Sequence, residues 1–224
     1  MATVVSGRTF EHRLWSGAGG VVQDLRFDRC VFIVCSLVQF DDPEPPLVAR
    51  NITATRCTLD NCSVAGVRFE DITIEHLTVR GWPLIRGCVF SRVTLKGRIG
   101  PLVAATPLAP AGSELHPYAT GAIVDAYASV DWALDISEAE FTDVALDLVP
   151  GNLIRRDPET QFLLHRDKLE GLDPQTLPRR AKLFVDRFQY SPFDTMVAVA
   201  PKRSRYFRDF LESLEELRKR GLAE

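Results

Sequence analysis

The sequence lacks the features that mark membrane, secreted and disordered proteins. No window approaches about 18 consecutive apolar residues, the length that a membrane-spanning helix needs. The first residues contain no basic region followed by an apolar stretch, so we expect no secretory leader. No tract is compositionally biased, and 46% of the 224 residues are apolar, which predicts a folded chain with a sizeable core. Together these absences favour a cytoplasmic protein.

An excess of charge of one sign is also missing. The chain has 27 Lys and Arg against 30 Asp and Glu, a formal net charge of −3. Binding nucleic acid by neutralising its phosphates requires a concentrated basic surface. Nucleic acid is therefore not the expected partner.

Motifs for catalysis and metal binding are incomplete. The tripeptide at 165–167 reads His-Arg-Asp, as in a kinase catalytic loop, but the downstream Asn, the Gly-rich loop and the Asp-Phe-Gly motif are missing. The glycines at 17–20 lack the third spaced glycine and the following helix of a phosphate-binding loop. The four histidines are scattered. We therefore predict no catalytic residue, no cofactor and no metal, and a protein that is not an enzyme.

All five cysteines lie in the first half of the chain, at Cys30, Cys35, Cys57, Cys62 and Cys88. An odd count without a secretory leader fits reduced thiols better than a disulfide framework. The four-residue gaps within the first two pairs are compatible with zinc ligation. The repeat described next favours a different role, as small apolar residues of the core.

The strongest signal is a repeat of five residues, which starts at Ile52 and runs through seven consecutive units. The first and third positions of every unit are apolar, whereas the other positions contain only two apolar residues, Ala65 and Ile85. The pattern resumes after one extra residue at Gly87, and it also covers residues 20–39 and 134–148. Since a period of five matches neither a helix nor a straight strand, the chain must bend once per unit to keep both apolar residues on one side.

These units resemble the pentapeptide-repeat family, whose pattern is a small or apolar residue, Asp or Asn, Leu or Phe, and two free positions. The resemblance implies that four units close one turn of a right-handed parallel β-helix. Residues 20 apart should then stack. The expected stacks are Cys57 with Leu77, Leu59 with Val79, Cys62 with Trp82, and Val64 with Leu84.

The predicted fold is mainly β, a short right-handed parallel β-helix of pentapeptide repeats over residues 1–150, followed by a mostly helical C-terminal region over 151–224. Two excursion loops are expected within the β-helix, at 40–51 and 98–133. Alternating apolar residues from Val124 to Trp132 predict a strand inside the second excursion. In the C-terminal region, the apolar spacing predicts helices at about 177–188 and 203–220.

The last predicted helix is the candidate interaction element. An open coil of strands exposes its last turn as an edge, which natural solenoids cover. An apolar stripe on the helix could cap the coil or pair with its copy in a homodimer, and neighbouring arginines could contact an acidic surface. The stripe consists of Phe207, Phe210, Leu211, Leu214 and Leu217, and the arginines are Arg203, Arg205 and Arg208.

The resemblance implies a non-enzymatic binding or scaffold protein with a protein partner of unknown identity. One alternative is the branch of the family that mimics B-DNA and protects DNA gyrase from quinolones. The arginines of the units over 52–96 have the wrong sign for such a mimic. Another alternative is an immunity-type protein that inhibits a toxin, but no particular residue indicates this function.

The five-residue register can be tested with two neighbouring substitutions. Leu59→Asp should abolish folding, because an unpaired charge in the core costs several kcal/mol against a total stability of about 5–15 kcal/mol. Thr58→Asp, at an outward position, should be tolerated. Circular dichroism and thermal melting measure both, and identical behaviour of the two variants would show that the register is wrong.

Overall fold

The structure is a computed structural model that describes residues 2–39, 46–81, 84–104 and 116–224. Strands account for 46% of the residues and helices for 20%. Almost all strand pairs are parallel, and one antiparallel pair lies near the C-terminus. The expected strand-rich class with parallel sheets is therefore confirmed.

The elements follow each other along the chain as short strands, then a helix, then a mixed C-terminal region. The strands are β1 (Thr3–Ser6), β2 (Thr9–Glu11), β3 (Leu14–Ser16), β4 (Val21–Asp28), β5 (Val31–Ile33), β6 (Ser36–Val38), β7 (Leu47–Thr55), β8 (Thr58–Asp60), β9 (Ser63–Ala65), β10 (Val67–Arg80), β11 (Leu84–Arg86), β12 (Val89–Ile99), β13 (Leu102–Val103), β14 (Leu134–Phe141), β15 (Val144–Ala145), β16 (Ile154–Arg155), β17 (Gln161–His165) and β18 (Thr195–Val199). The α-helices are α1 (His116–Tyr127), α2 (Arg166–Leu169), α3 (Arg179–Phe188) and α4 (Phe207–Lys219), and short 3₁₀ turns span Gly151–Leu153 and Pro174–Thr176.

The parallel strands pair in a repeating register. In the largest sheet, β7 pairs with β10 at an offset of 20 residues, as Leu47 with Val67. A second series runs through β2, β5, β8 and the end of β10, and a third runs through β3, β6, β9 and β11. Leu59 pairs with Val79, as the repeat predicts. The chain therefore visits three sheets in succession and returns to the first after about four units.

Most units bend at their last residue, which takes a left-handed backbone conformation. Arg56 and Asn61 show φ values of 54° and 50°. The bend is held by hydrogen bonds to the neighbouring turn: the N–H of Arg56 donates to Glu75 O at 2.8 Å, and that of Asn61 to Arg80 O at 3.1 Å. Ten non-glycine residues adopt this conformation in the described chain. Each bend turns the next apolar pair inward, as the period of five requires.

The stack expected for Val64 is shifted by one residue. Val64 pairs with Ile85, and Leu84 pairs with Ser63. Since Arg80 still pairs with Asp60, the extra residue enters between Arg80 and Leu84, and not at Gly87 as predicted. The shift explains why Ile85 is apolar at a position that the sequence register assigns to the outside. The stack expected for Cys62 involves Trp82, which lies outside the described residues.

The cysteines and phenylalanines form the inner layers of the repeat. All five cysteines are buried and free. The thiol of Cys30 donates to Val5 O at 3.4 Å, and the thiol of Cys62 donates to Phe32 O at 3.3 Å. Phe10 stacks on Phe32 with ring centroids 5.1 Å apart. The thiols thus fill first positions while they satisfy carbonyl groups of the neighbouring turn.

The two excursions differ from their predicted form. Leu47–Asn51 already belongs to β7, so the first excursion ends before residue 47. In the second excursion, β12 continues to Ile99, and the predicted strand at 124–132 is wrong, because α1 occupies His116–Tyr127. Ile123 and Tyr127 are both buried at helical spacing, and the Tyr127 hydroxyl accepts a hydrogen bond from Phe90 N at 3.2 Å. Packing against β12 thus favours a helix over the local alternation.

The C-terminal region contains both predicted helices, α3 and α4, and an antiparallel pair that the sequence analysis missed. Strands β17 and β18 present two buried faces. Val197 and Val199 of β18 join the core of the repeat, whereas Met196 and Ala198 join a second core with the helices. Gln161 anchors the pair, because its amide donates to Ile136 O at 2.9 Å. The pair therefore lies between the last strands of the repeat and the helices.

Val34 offers a test of the left-handed bends. Its φ is 51°, a conformation that is a genuine outlier for a β-branched residue. Its side chain is exposed, so Val34→Asn should remove strain without loss of packing. We expect a gain of about 0.5–1 kcal/mol in the free energy of unfolding, measured by urea denaturation.

The matched control is Val21→Asn, which changes an equally exposed valine within β4. Since asparagine is disfavoured in strands, this variant should be neutral or less stable. An equal effect of the two substitutions would contradict the assignment of the bend to residue 34.

Candidate functional site

The apolar stripe of the last helix lies inside the molecule. Leu214 and Leu217 are fully buried, and the other three members, Phe207, Phe210 and Leu211, pack around the second core. The ring of Phe210 lies 5.8 Å from that of Phe184 in α3. The stripe is therefore covered by α3 and by the β17–β18 pair of the same chain.

The three arginines predicted to accompany the stripe occupy different environments. Arg205 is exposed and its guanidinium lies 4.6 Å from the ring of Tyr206, and Arg208 is exposed on α4. Arg203 precedes the helix and docks on the repeat, where its N–H donates to Phe141 O at 2.9 Å. Of these arginines, only Arg203 lines the groove described next.

That surface arises where one turn of the repeat takes a shorter path. Leu77 of β10 pairs with Ile99 of β12. From Leu77 the chain advances seven positions to the start of β11 at Leu84, but from Ile99 it advances only three positions to the start of β13 at Leu102. The N–H of Gly100 donates to Leu77 O at 2.8 Å, and the chain then crosses directly to β13. Consequently the segment Thr78–Arg80 pairs with β8 and with no other strand of the described residues. It forms an exposed ledge.

An open groove of about 820 Å³ lies along this ledge. Three arginines and a histidine line it, together with apolar and small residues, and no carboxylate does so among the described residues. The basic members are Arg56, His76, Arg98 and Arg203, and the others are Leu77, Thr78, Val79, Gly100, Pro101 and Thr142. We call these ten residues the basic groove.

The arginines of the basic groove differ in how they are paired. Arg56 is held by Asp28, with 3.0 Å between Nη2 and Oδ1. The hydrogen bond from Arg56 and the positive charge of Arg29 lower the pKa of Asp28 below its ordinary value. Arg98 and Arg203 have no carboxylate partner among the residues that the structure describes, and Arg203 Nη1 makes a single long contact of 3.4 Å with Ile99 O. These two guanidinium groups are therefore available to an anion.

Glycine sets the position of the histidine in the basic groove. His76 lies at a bend with φ of 54°, and its Nδ1 accepts a hydrogen bond from Arg98 N at 3.1 Å. Its ring rests on Gly97, where a Cβ would overlap the imidazole. A side chain at position 97 would thus displace His76 from the groove.

Sequence reasoning identified Arg203 but missed the other three basic members. Arg56 and His76 are the last residues of units 20 positions apart, so the repeat itself could have placed them in one column. Arg98 stands at the start of the predicted excursion, and it shares the groove with Arg203 because the turn is shortened. Nothing in the local sequence signals that the two residues line one groove.

Several cations elsewhere on the repeat are paired with carboxylates. Arg92 pairs with Asp71 at 2.6 Å, and this hydrogen bond lowers the pKa of Asp71. Arg80 lies 3.8 Å from Asp60, and Lys96 lies 3.4 Å from Glu138. Arg98 and Arg203 differ from these paired cations in having no carboxylate partner among the described residues, and they line the same groove.

The opposite end of the strand stacks is a second exposed feature. Strands β1, β2 and β3 each pair with one strand only among the described residues. Leu14 is 65% exposed and Trp15 is 37% exposed. Val21 and Val34 are also exposed. Nothing in the described chain covers these side chains.

Comparison with protein-family models, with curated proteins and with solved structures finds no match for this chain. Within the described residues, no helix is long and apolar enough to cross a membrane. The same residues contain no group of three or more His, Cys, Asp or Glu side chains arranged to hold a metal ion. The candidate site consequently rests on geometry and charge.

The cysteines should be unreactive in the folded protein. Burial raises the pKa of the Cys88 thiol to about 12 and also raises the pKa of the Cys57 and Cys62 thiols, so few thiolates exist at pH 8. We expect Ellman's reagent to modify fewer than about one thiol per chain over an hour, and all the cysteines after unfolding in urea.

Thr78→Cys is the control, because it adds a thiol on the exposed ledge of the basic groove. That thiol should react within minutes. Rapid modification of the native cysteines would contradict their assignment to the core.

Proposed function

We propose that residues 1–150 form a right-handed parallel β-helix of the pentapeptide-repeat type, and that the protein is a non-enzymatic, cytoplasmic binding or scaffold protein. The fold proposal is supported by parallel pairing at offsets of 20 to 22 residues in the pairs β1–β4, β7–β10 and β10–β12, and by a left-handed bend at the end of most units. The C-terminal region would close one end of the coil.

The binding proposal is carried by one observation, the basic groove on a hydrogen-bonded ladder of strands. Its backbone is fixed by neighbouring turns, and Arg98 and Arg203 project from it without a carboxylate partner in the described chain. A rigid surface with available charges suits recognition of a macromolecule. The partner we propose is a protein, as expected for a near-neutral chain.

The charge arrangement does not favour the DNA-mimic alternative. A mimic of B-DNA needs uncompensated acidic side chains along its outer faces. On this repeat, ion pairs interrupt the acidic surface, because Asp28, Asp60, Asp71 and Glu138 have cationic partners. An immunity-type function remains compatible with a protein partner, but no feature of the groove is specific to it.

The binding function can be tested by affinity capture from the source cells followed by titration. Proteins enriched on the folded bait, and not on a Leu59→Asp bait, would be purified and titrated by calorimetry. We expect at least one to bind with fixed stoichiometry and a dissociation constant in the micromolar range or below. If no enriched protein binds in saturable manner, the proposed function is wrong.

A further inference from the structure

We propose that the basic groove binds an extended acidic segment of a protein partner, whose carboxylates pair with Arg98 and Arg203. This inference rests on the proposed function of protein binding, and it adds the chemistry of the partner and the place where it binds. Three observations support it: the charge of the groove, its shape, and the absence of aromatic side chains from its lining among the described residues.

Charge defines the ligand as an anion. A guanidinium group presents a fork of N–H donors that matches the two oxygens of a carboxylate. The forks of Arg98 and Arg203 meet no such group within the described chain, whereas that of Arg56 already contacts Asp28. Both guanidinium groups can therefore receive a carboxylate of a ligand in the groove, which His76 also lines.

Shape favours an extended segment. The ledge Thr78–Arg80 is three residues long, or about 10 Å at roughly 3.3 Å per residue. The groove beside it is open to solvent, so an extended chain can lie along the ledge. Leu77, Val79 and Pro101 contribute apolar lining. In an extended segment that alternates acidic and apolar residues, the acidic side chains can pair with the arginines while the apolar side chains contact the apolar lining.

The lining argues against nucleic acid as the ligand. Proteins that bind single strands stack the bases on aromatic side chains, and no Phe, Tyr or Trp lines the groove among the described residues. A phosphate backbone also requires a continuous basic track. The groove itself has only four basic members, and one of them, Arg56, already pairs with Asp28. The basic track within the groove is therefore long enough for a short peptide and too short for a nucleic-acid strand.

A labelled peptide provides a direct test. The probe is the capped heptapeptide Glu-Val-Glu-Ser-Glu-Val-Glu, and fluorescence anisotropy at low ionic strength measures its binding to the full-length protein. We expect saturable binding that weakens as salt is added. The same peptide with every Glu replaced by Gln should bind about tenfold more weakly or not at all.

Variants locate the binding site. Arg98→Gln combined with Arg203→Gln should weaken binding of the acidic peptide about tenfold, with a melting temperature close to that of the wild type. The matched control is Arg8→Gln combined with Arg26→Gln, which removes the same charge from exposed positions outside the groove. That control should bind the peptide like the wild type. Equal weakening in both double variants would overturn the groove assignment, since the effect would then be one of net charge.

Two further outcomes would overturn the inference. The first is that an oligothymidylate of equal charge displaces the peptide at equal or lower concentration, because the groove would then recognise phosphate. The second is that a purified protein partner binds, but with unchanged affinity for the Arg98→Gln, Arg203→Gln variant. In that case the scaffold function stands and its binding surface lies elsewhere.

Discussion

The structure depends on one local constraint, the left-handed bend at the last residue of most five-residue units. A single bend costs a non-glycine residue about 1 kcal/mol, and isolated units would not adopt it. The N–H of the bending residue, however, donates to a carbonyl of the adjacent turn, as Arg56 does to Glu75. Each turn therefore stabilises the bends of its neighbour, and the strained conformation persists only in a stack.

The parallel strands leave an unpaired strand edge at each end of the repeat, and the two edges differ in what covers them. After β14 and β16 the parallel pairing stops, and the β17–β18 pair places Val197 and Val199 against the repeat. Its opposite face receives α3 and α4, so the strand pair joins two cores through the alternation of its side chains. At the other end the inner layer of Val5, Phe10 and Trp15 has no neighbouring turn in the described chain. Here Trp15 is left partly exposed.

The sequence predicted the repeat because inward positions alternate with a strict period that survives in the packing. It missed β1–β3, since their first positions are polar, as at Arg8 and Arg13, and only the third positions keep the apolar pattern. It also misplaced the extra residue near Ile85, because an insertion in a bend leaves no local signature. The sequence predicts a strand where α1 lies, because apolar residues alternate from Val124 onward. The contact of Tyr127 with Phe90 favours the helix instead, and this contact is distant in sequence.

The basic groove was beyond prediction for a related reason. Its column of Arg56 and His76 follows from the period of five, but its second wall depends on how far the chain travels between two sheets. Once Gly100 and Pro101 shorten that path, the ledge at Thr78–Arg80 loses its next strand and the groove opens beside it. Arg98, which immediately precedes the shortened path, and Arg203, which precedes α4, are distant in sequence and line this groove together. The hydrogen-bonded packing of the strands thus leaves the place of a missing strand open at the surface, because the bordering strands are held by their other neighbours and cannot relax to fill it.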